Sequence, residues 1–243
     1  MNAQALKTAR KKRGWSQVET AERLGVSQTY VALLEEGKRS FGPKLAERAV
    51  KTLKASAAFL PLAEKVQTED PGKLPQQLSA LGYPGFAYLR PARRRNPAEL
   101  LMRALAEDDL DPRVTEALPW LLLHYEDMDV DWLVQQARSR NLSNRLGFVV
   151  SLAKAVVKAA GTTAEGNELL DLLEAQLKES RLAKEDTLCQ SSLSERERDW
   201  LRQARPPEAE YWNLLTDWRP EHLQYVASQT AAALALVGVP IRR

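Results

Sequence analysis

The sequence predicts an all-α protein. A bundle of four or five short helices fills residues 1–60, a proline-rich connector fills 61–95, and a larger helical domain fills 96–243. Three observations carry this. Apolar residues recur at helical spacing, with no convincing run of alternating β-branched residues. Cap residues stand in front of those runs. Prolines and glycines crowd into one stretch, with Pro61, Pro71, Pro75, Pro84, Pro91 and Pro97 beside Gly72, Gly82 and Gly85.

Composition narrows the class. The chain has 243 residues, 44% hydrophobic and 28% charged, which is enough apolar material for a core. Its single cysteine, Cys189, excludes an internal disulfide and fits a reducing bacterial cytoplasm. The start lacks the apolar run of a secretory signal. The apolar run "AAALALVGV" near the end is too short to span a bilayer, so no membrane partner is expected. Residues 1–54 carry 12 Lys/Arg against 5 Asp/Glu, whereas the remainder carries 23 against 27. A basic head on a mildly acidic body points to a polyanion at the head.

The head explains itself in order. Ser16 and Glu19 have capping-box spacing for a helix over Gln17–Leu24. Gly25 supplies a turn, and Ser27 caps the next helix, Gln28 to about Glu36, which Gly37 ends. Ala21 is small where the helices touch, and Leu24, Val26, Val31 and Leu34 form a shared core. Two short helices joined by a tight turn are a helix-turn-helix arrangement. In the connector, one short helix is expected near Leu74–Leu81, with Tyr83, Phe86 and Tyr88 exposed beside Arg90, Arg93, Arg94 and Arg95.

The body begins where Asn96 precedes Pro97, and continues where Asp111 precedes Pro112; each pair is an N-cap followed by proline at the first helical position. Leu100, Leu101, Ala104 and Leu105 form an apolar stripe, and Pro119 implies a bend in the next helix. Further helices are read in "DWLVQQARSR", "NRLGFVVSLAKAVVKAA" and "GNELLDLLEAQLKES". Ser194 and Glu197 repeat the capping-box spacing; "EAEYWNLL" and "PEHLQYVASQTAAALALV" close the chain. Trp120, Trp132, Trp200, Trp212 and Trp218 are expected in core or interface.

Chemistry-bearing motifs are missing. His124, His222 and Cys189 make no metal cluster, and no metal or cofactor is expected. "DMDVDW" from Asp127 starts like a calcium loop, but Trp132 replaces the required glycine and Arg138 the glutamate. An acidic helix N-terminus explains it better. There is no phosphate loop and no serine elbow, so an enzyme is not expected.

Over Leu6–Leu53 the chain resembles the XRE/Cro/C1-type (phage-repressor-like) helix-turn-helix domains. Arg10, Gly14, Ser16, Gln17, Ala21, Leu24, Gly25, Val26, Ser27, Gln28, Val31, Glu35 and Gly37 carry the match. Thr20 and Val18 depart from it, standing where the family has a leucine and a polar residue. The resemblance implies a five-helix domain that binds double-stranded DNA. Gln28, Thr29 and Leu33 would read bases, and Gln17, Tyr30, Lys38, Arg39 and Lys44 would follow the backbone. Gln17 would also brace Gln28, and Arg10 with Glu35 would form a structural ion pair. Arg93, Arg94 and Arg95 are further candidates to meet an anion or a partner. From Arg95 to Ala153, and in "YWNLLTDW", the body resembles regulators encoded beside nucleotidyltransferase-type (AbiEii-like) toxins. Together these imply a transcriptional repressor that dimerises through its body, or an antitoxin that neutralises a partner toxin and regulates its own operon.

Overall fold

A computed structural model of the chain describes residues 3–63, 70–159 and 168–223. In the head, α1 (Ala3–Lys12), α2 (Gln17–Leu24), α3 (Gln28–Glu35) and α4 (Pro43–Leu53) pack around Leu6, Ala21, Leu24, Val31, Leu34, Ala49 and Leu53. A fifth head helix is not formed. Its place is taken by a 3-10 turn, Ala57–Phe59, and Ala57 belongs to the core of the body. The reason lies in α4, whose faces divide. Ala49 and Leu53 pack into the head, while Val50 packs with the body.

The connector is more folded than its prolines imply. The short helix α5 (Leu74–Leu81) forms as expected and ends at Gly82, whose φ is 96°. Tyr83 and Phe86, expected exposed, are buried; Tyr88 alone of the three stays in solvent. A 3-10 turn over Pro84–Phe86 folds the two rings inward. Tyr83 then meets Trp120 edge-on, with ring centroids 5.3 Å apart. Prolines bar a long helix but not a turn.

The body holds α6 (Pro97–Leu105), α7 (Pro112–His124), α8 (Val130–Ser139), α9 (Ser143–Ala159), α10 (Glu168–Lys178), α11 (Glu195–Ala204) and α12 (Pro207–Tyr211). The expected caps are made: Asn96 Oδ1 accepts from Ala98 N at 2.9 Å, and Asp111 Oδ1 from Arg113 N at 2.8 Å. Asp129 caps α8 by accepting from Trp132 N, as an acidic helix start should. Helix α7 runs through Pro119.

Three features differ from the sequence reading. Helix α6 is buried on every side rather than along one stripe, because other elements cover it all round. A two-residue parallel pair joins β1 (Asp186–Thr187) to β2 (Leu214–Leu215), too short to leave an alternating signature. It also cuts "EAEYWNLL" short as a helix. Trp200 is exposed, although Trp120 and Trp212 are buried. Of "PEHLQYVASQTAAALALV", only a 3-10 turn over Pro220–His222 and Leu223 lie within the described residues; the remainder, including "AAALALVGV", lies outside them.

Trp212 shows how the body closes. A Cβ on Gly147 would stand 2.5 Å from the Trp212 ring, so only glycine leaves α9 open there. One turn on, Ser151 Oγ accepts from Trp212 Nε1 at 2.9 Å. Gly147 and Ser151 thus form a slot with one polar stop. Among the described residues no helix is long and apolar enough to cross a membrane.

Candidate nucleic-acid interface

Local chemistry sets the geometry of α2 and α3. Ser16 Oγ accepts from Glu19 N at 3.1 Å, and Glu19 Oε2 accepts from Ser16 N at 2.7 Å. The bond from Ser16 N, with the Ser16 hydroxyl nearby, holds the Glu19 carboxyl below its ordinary range. Gly25 then takes φ 62°, in the left-handed region, and its neighbour Val26 N donates back to Ala21 O at 3.0 Å. Arg48 closes the turn from α4, donating to Leu24 O at 2.8 Å. Ser27 Oγ accepts from Tyr30 N at 3.2 Å and starts α3. Thr20 is fully buried, and its hydroxyl donates to Ser16 O at 2.8 Å, so this departure from the family pattern satisfies its own polar atom. Val18 stands 54% exposed.

A polar chain runs from the inside of this unit to its surface. Arg10 donates to both oxygens of Glu35, at 2.6 and 3.0 Å, and to Trp15 O at 2.8 Å. Gln17 Nε2 donates to Glu35 Oε2 at 2.9 Å, and Gln28 Nε2 donates to Gln17 Oε1 at 2.9 Å. Burial opposes charge on Glu35, but the bonds from Arg10 and Gln17 outweigh it and hold the carboxyl below its usual range. An ionised carboxylate only accepts. The Gln17 nitrogen must therefore face Glu35, its oxygen must face Gln28, and the Gln28 nitrogen must face Gln17. One N–H and the carbonyl oxygen of Gln28 remain for another molecule. That is the donor–acceptor pair which matches N7 and N6 of adenine.

Gln28 and Thr29 are exposed at the start of α3, with Leu33 and Tyr30 half-buried behind them. Tyr30 packs on the head core through its ring. Arg39 and Lys44 are exposed. Lys38 is exposed too, but pairs with Glu36 at 2.8 Å, and the hydrogen bond from that pair raises its pKa. The structure therefore places the ion pair Arg10–Glu35 and the brace Gln17–Gln28 where the sequence put them. The bond from Gln17 to Glu35 was not anticipated. Its only signal was three residue types of matching polarity, at positions far apart in the chain. Gln17 has both ends of its amide engaged and one N–H of its nitrogen left over, and the capping box does not use the α2 backbone N–H groups of Gln17 and Val18.

Residues 6–60 match the family model described as helix-turn-helix. The head is a helix-turn-helix domain of the XRE/Cro/C1 type. The match covers the head alone, and it supports DNA binding by that domain. No curated protein and no solved structure matches the chain. The likeness of the body to regulators beside nucleotidyltransferase toxins has no support from these comparisons. In the helix-turn-helix domain, α2 and α3 are the paired helices, and Gln28 stands at the N-terminal end of the second.

The arginine run after α5 is divided. Arg93 pairs with Glu47 on α4 through its Nε. Arg94 lines a cleft with Arg93 and Glu47 and donates to Ala80 O at 3.1 Å. Arg95 is half-buried.

Proposed function

We propose that this chain is a sequence-specific transcriptional repressor which acts in the bacterial cytoplasm by binding DNA rather than by catalysis. Gln28 reads an adenine, Thr29 and Leu33 add contacts at neighbouring bases, and Lys38, Arg39 and Lys44 follow phosphates. The observation that carries this is the polar chain Arg10–Glu35–Gln17–Gln28, whose last member ends in solvent with one donor and one acceptor unused. A network built only for stability closes on itself. This one fixes the orientation of an exposed amide, which supports base reading by Gln28.

The helical body joins two copies. A single short recognition helix covers a few base pairs, so a useful site needs two heads about one helical turn apart. The test is selection of bound duplexes from a random pool by the full chain. A recovered pseudo-palindrome supports the reading. Gln28→Ala should then cost about 1–3 kcal/mol at the selected site and relax preference at one base pair. Lys38→Ala should weaken selected and random DNA alike. No enriched sequence, or equal losses for Gln28→Ala on both duplexes, removes Gln28 as a reader.

A further inference from the structure

The basic surface of the helix-turn-helix domain does not end with the domain. Helix α4 starts at Pro43, directly after the turn that bears Lys38 and Arg39, and Lys44 follows. Arg93 lies against this end of α4. Its guanidinium pairs with Glu47, and it lines a cleft together with Pro43 and Glu47. Pro43 and Glu47 are four residues apart, so they lie one above the other on one face of α4, with Lys44 beside them. The side chain of Arg93 is 67% exposed. Arg90, also exposed, stands three residues earlier, within about 10 Å of extended chain. Arg93, Arg94 and Arg95 line the cleft against Glu47 and a buried Glu99, and Lys44 and Arg90 add to the positive side.

We infer that the phosphate-binding edge continues from Lys38, Arg39 and Lys44 onto Arg93 and Arg90, so that the segment after α5 grips DNA backbone outside the half-site read by α3. The occupant is duplex phosphate. Charge complementarity argues for it, as does continuity with the edge of the domain that faces DNA. The pair with Glu47 holds the Arg93 guanidinium at α4 before DNA arrives, which lowers the cost of ordering a long side chain. Arg94 lines the same cleft, with its Nε donating to Ala80 O. The inference rests on the DNA-reading function proposed above and adds a second contact zone to it.

Salt titration of DNA binding by the full chain tests it, with two duplexes: one limited to the selected site, the other carrying the same site with long flanks. Each neutralised phosphate adds about 0.9 to the slope of log K against log salt. R90A/R93A should lower the slope by up to about 2 on the long duplex and leave it unchanged on the short one. Affinity on the long duplex should fall several-fold at low salt. Equal melting temperatures of the variant and wild type would show that folding is intact, as expected for an exposed pair. A double variant with the wild-type slope on both duplexes overturns the inference and leaves the reading by Gln28 standing. Wild type that binds neither duplex in a salt-dependent way overturns both.

Discussion

Two arginines organise the two regions of this molecule, and they do so in opposite ways. In the head, Arg10 clamps Glu35, and the chain of bonds continues through Gln17 to an exposed amide. In the body, Arg145 grips both oxygens of Asp186, at 2.7 and 3.0 Å, and donates to the carbonyls of Leu105 and Glu107 at 2.9 Å each. Arg145 is 6% exposed, and its partners hold the ends of α6 and β1 together. In the body network both oxygens of Asp186 are bonded, by Arg145 and Thr187 N, and Nη1 of Arg145 donates to the two backbone carbonyls. The head network is open at one end. A closed network fixes structure, and an open one presents chemistry. Cys189 falls on the closed side. Burial pushes its thiol up to about 12, so it stays protonated and packs as a small apolar group.

The largest effect should follow from breaking the closed network. Arg145→Ala leaves Asp186 with only the bond from Thr187 N and takes the arginine donor from two carbonyls, and should cost about 2–4 kcal/mol in denaturant unfolding, since Asp186 is part-exposed. A loss below about 1 kcal/mol would erase the contrast. Gly147→Ala should come next, at about 1–3 kcal/mol, because its methyl would collide with the Trp212 ring. The companion change Trp212→Leu in the Gly147→Ala background should recover part of that loss; additive losses would show that the slot is not the cause.

Glu35→Gln sharpens the comparison from the head side. An amide both donates and accepts, so the polarity imposed on Gln17 and Gln28 is lost. Stability should fall by about 1–3 kcal/mol, with discrimination between selected and random DNA falling as well. Unchanged discrimination would mean that Gln28 orients itself.

Acid should act on both networks in the same direction. For Asp186, burial opposes ionisation but the bonds from Arg145 prevail, and its carboxyl is held below the ordinary range, as is that of Glu35. A lowered folded value contributes stability that is complete above the unfolded value. It is lost as pH falls through the folded one. The wild type should therefore lose stability progressively below about pH 4, and Asp186→Asn should flatten that dependence. A pH profile of the variant parallel to that of wild type would exclude the pair as its origin. The smallest effect belongs to the exposed pair Lys38–Glu36. Glu36→Gln should leave stability nearly unchanged, while making DNA binding stronger at low salt.

By itself the sequence determined what is local. Serine caps, capping boxes, proline at first helical positions and a glycine turn act within four residues of themselves, so α2, α3, α6, α7 and α11 could be placed from spelling alone. The pair Arg10–Glu35 and the brace Gln17–Gln28 came from a family pattern at fixed offsets, which carries tertiary information indirectly. What only the tertiary structure decided is which polar groups meet across long separations. Asn96 reads as a cap, yet its amide also donates to Ala58 O and Leu60 O and ties the exit of the head to α6. Tyr83 and Phe86 read as exposed because proline forbids a helix, but burial depends on what a turn faces. Gly147 has no signal in its own helix, since the reason for it is a ring that arrives 65 residues later. Spacing encodes contacts within a helix; contacts between helices depend on where each one is packed, and no single stretch of sequence holds that.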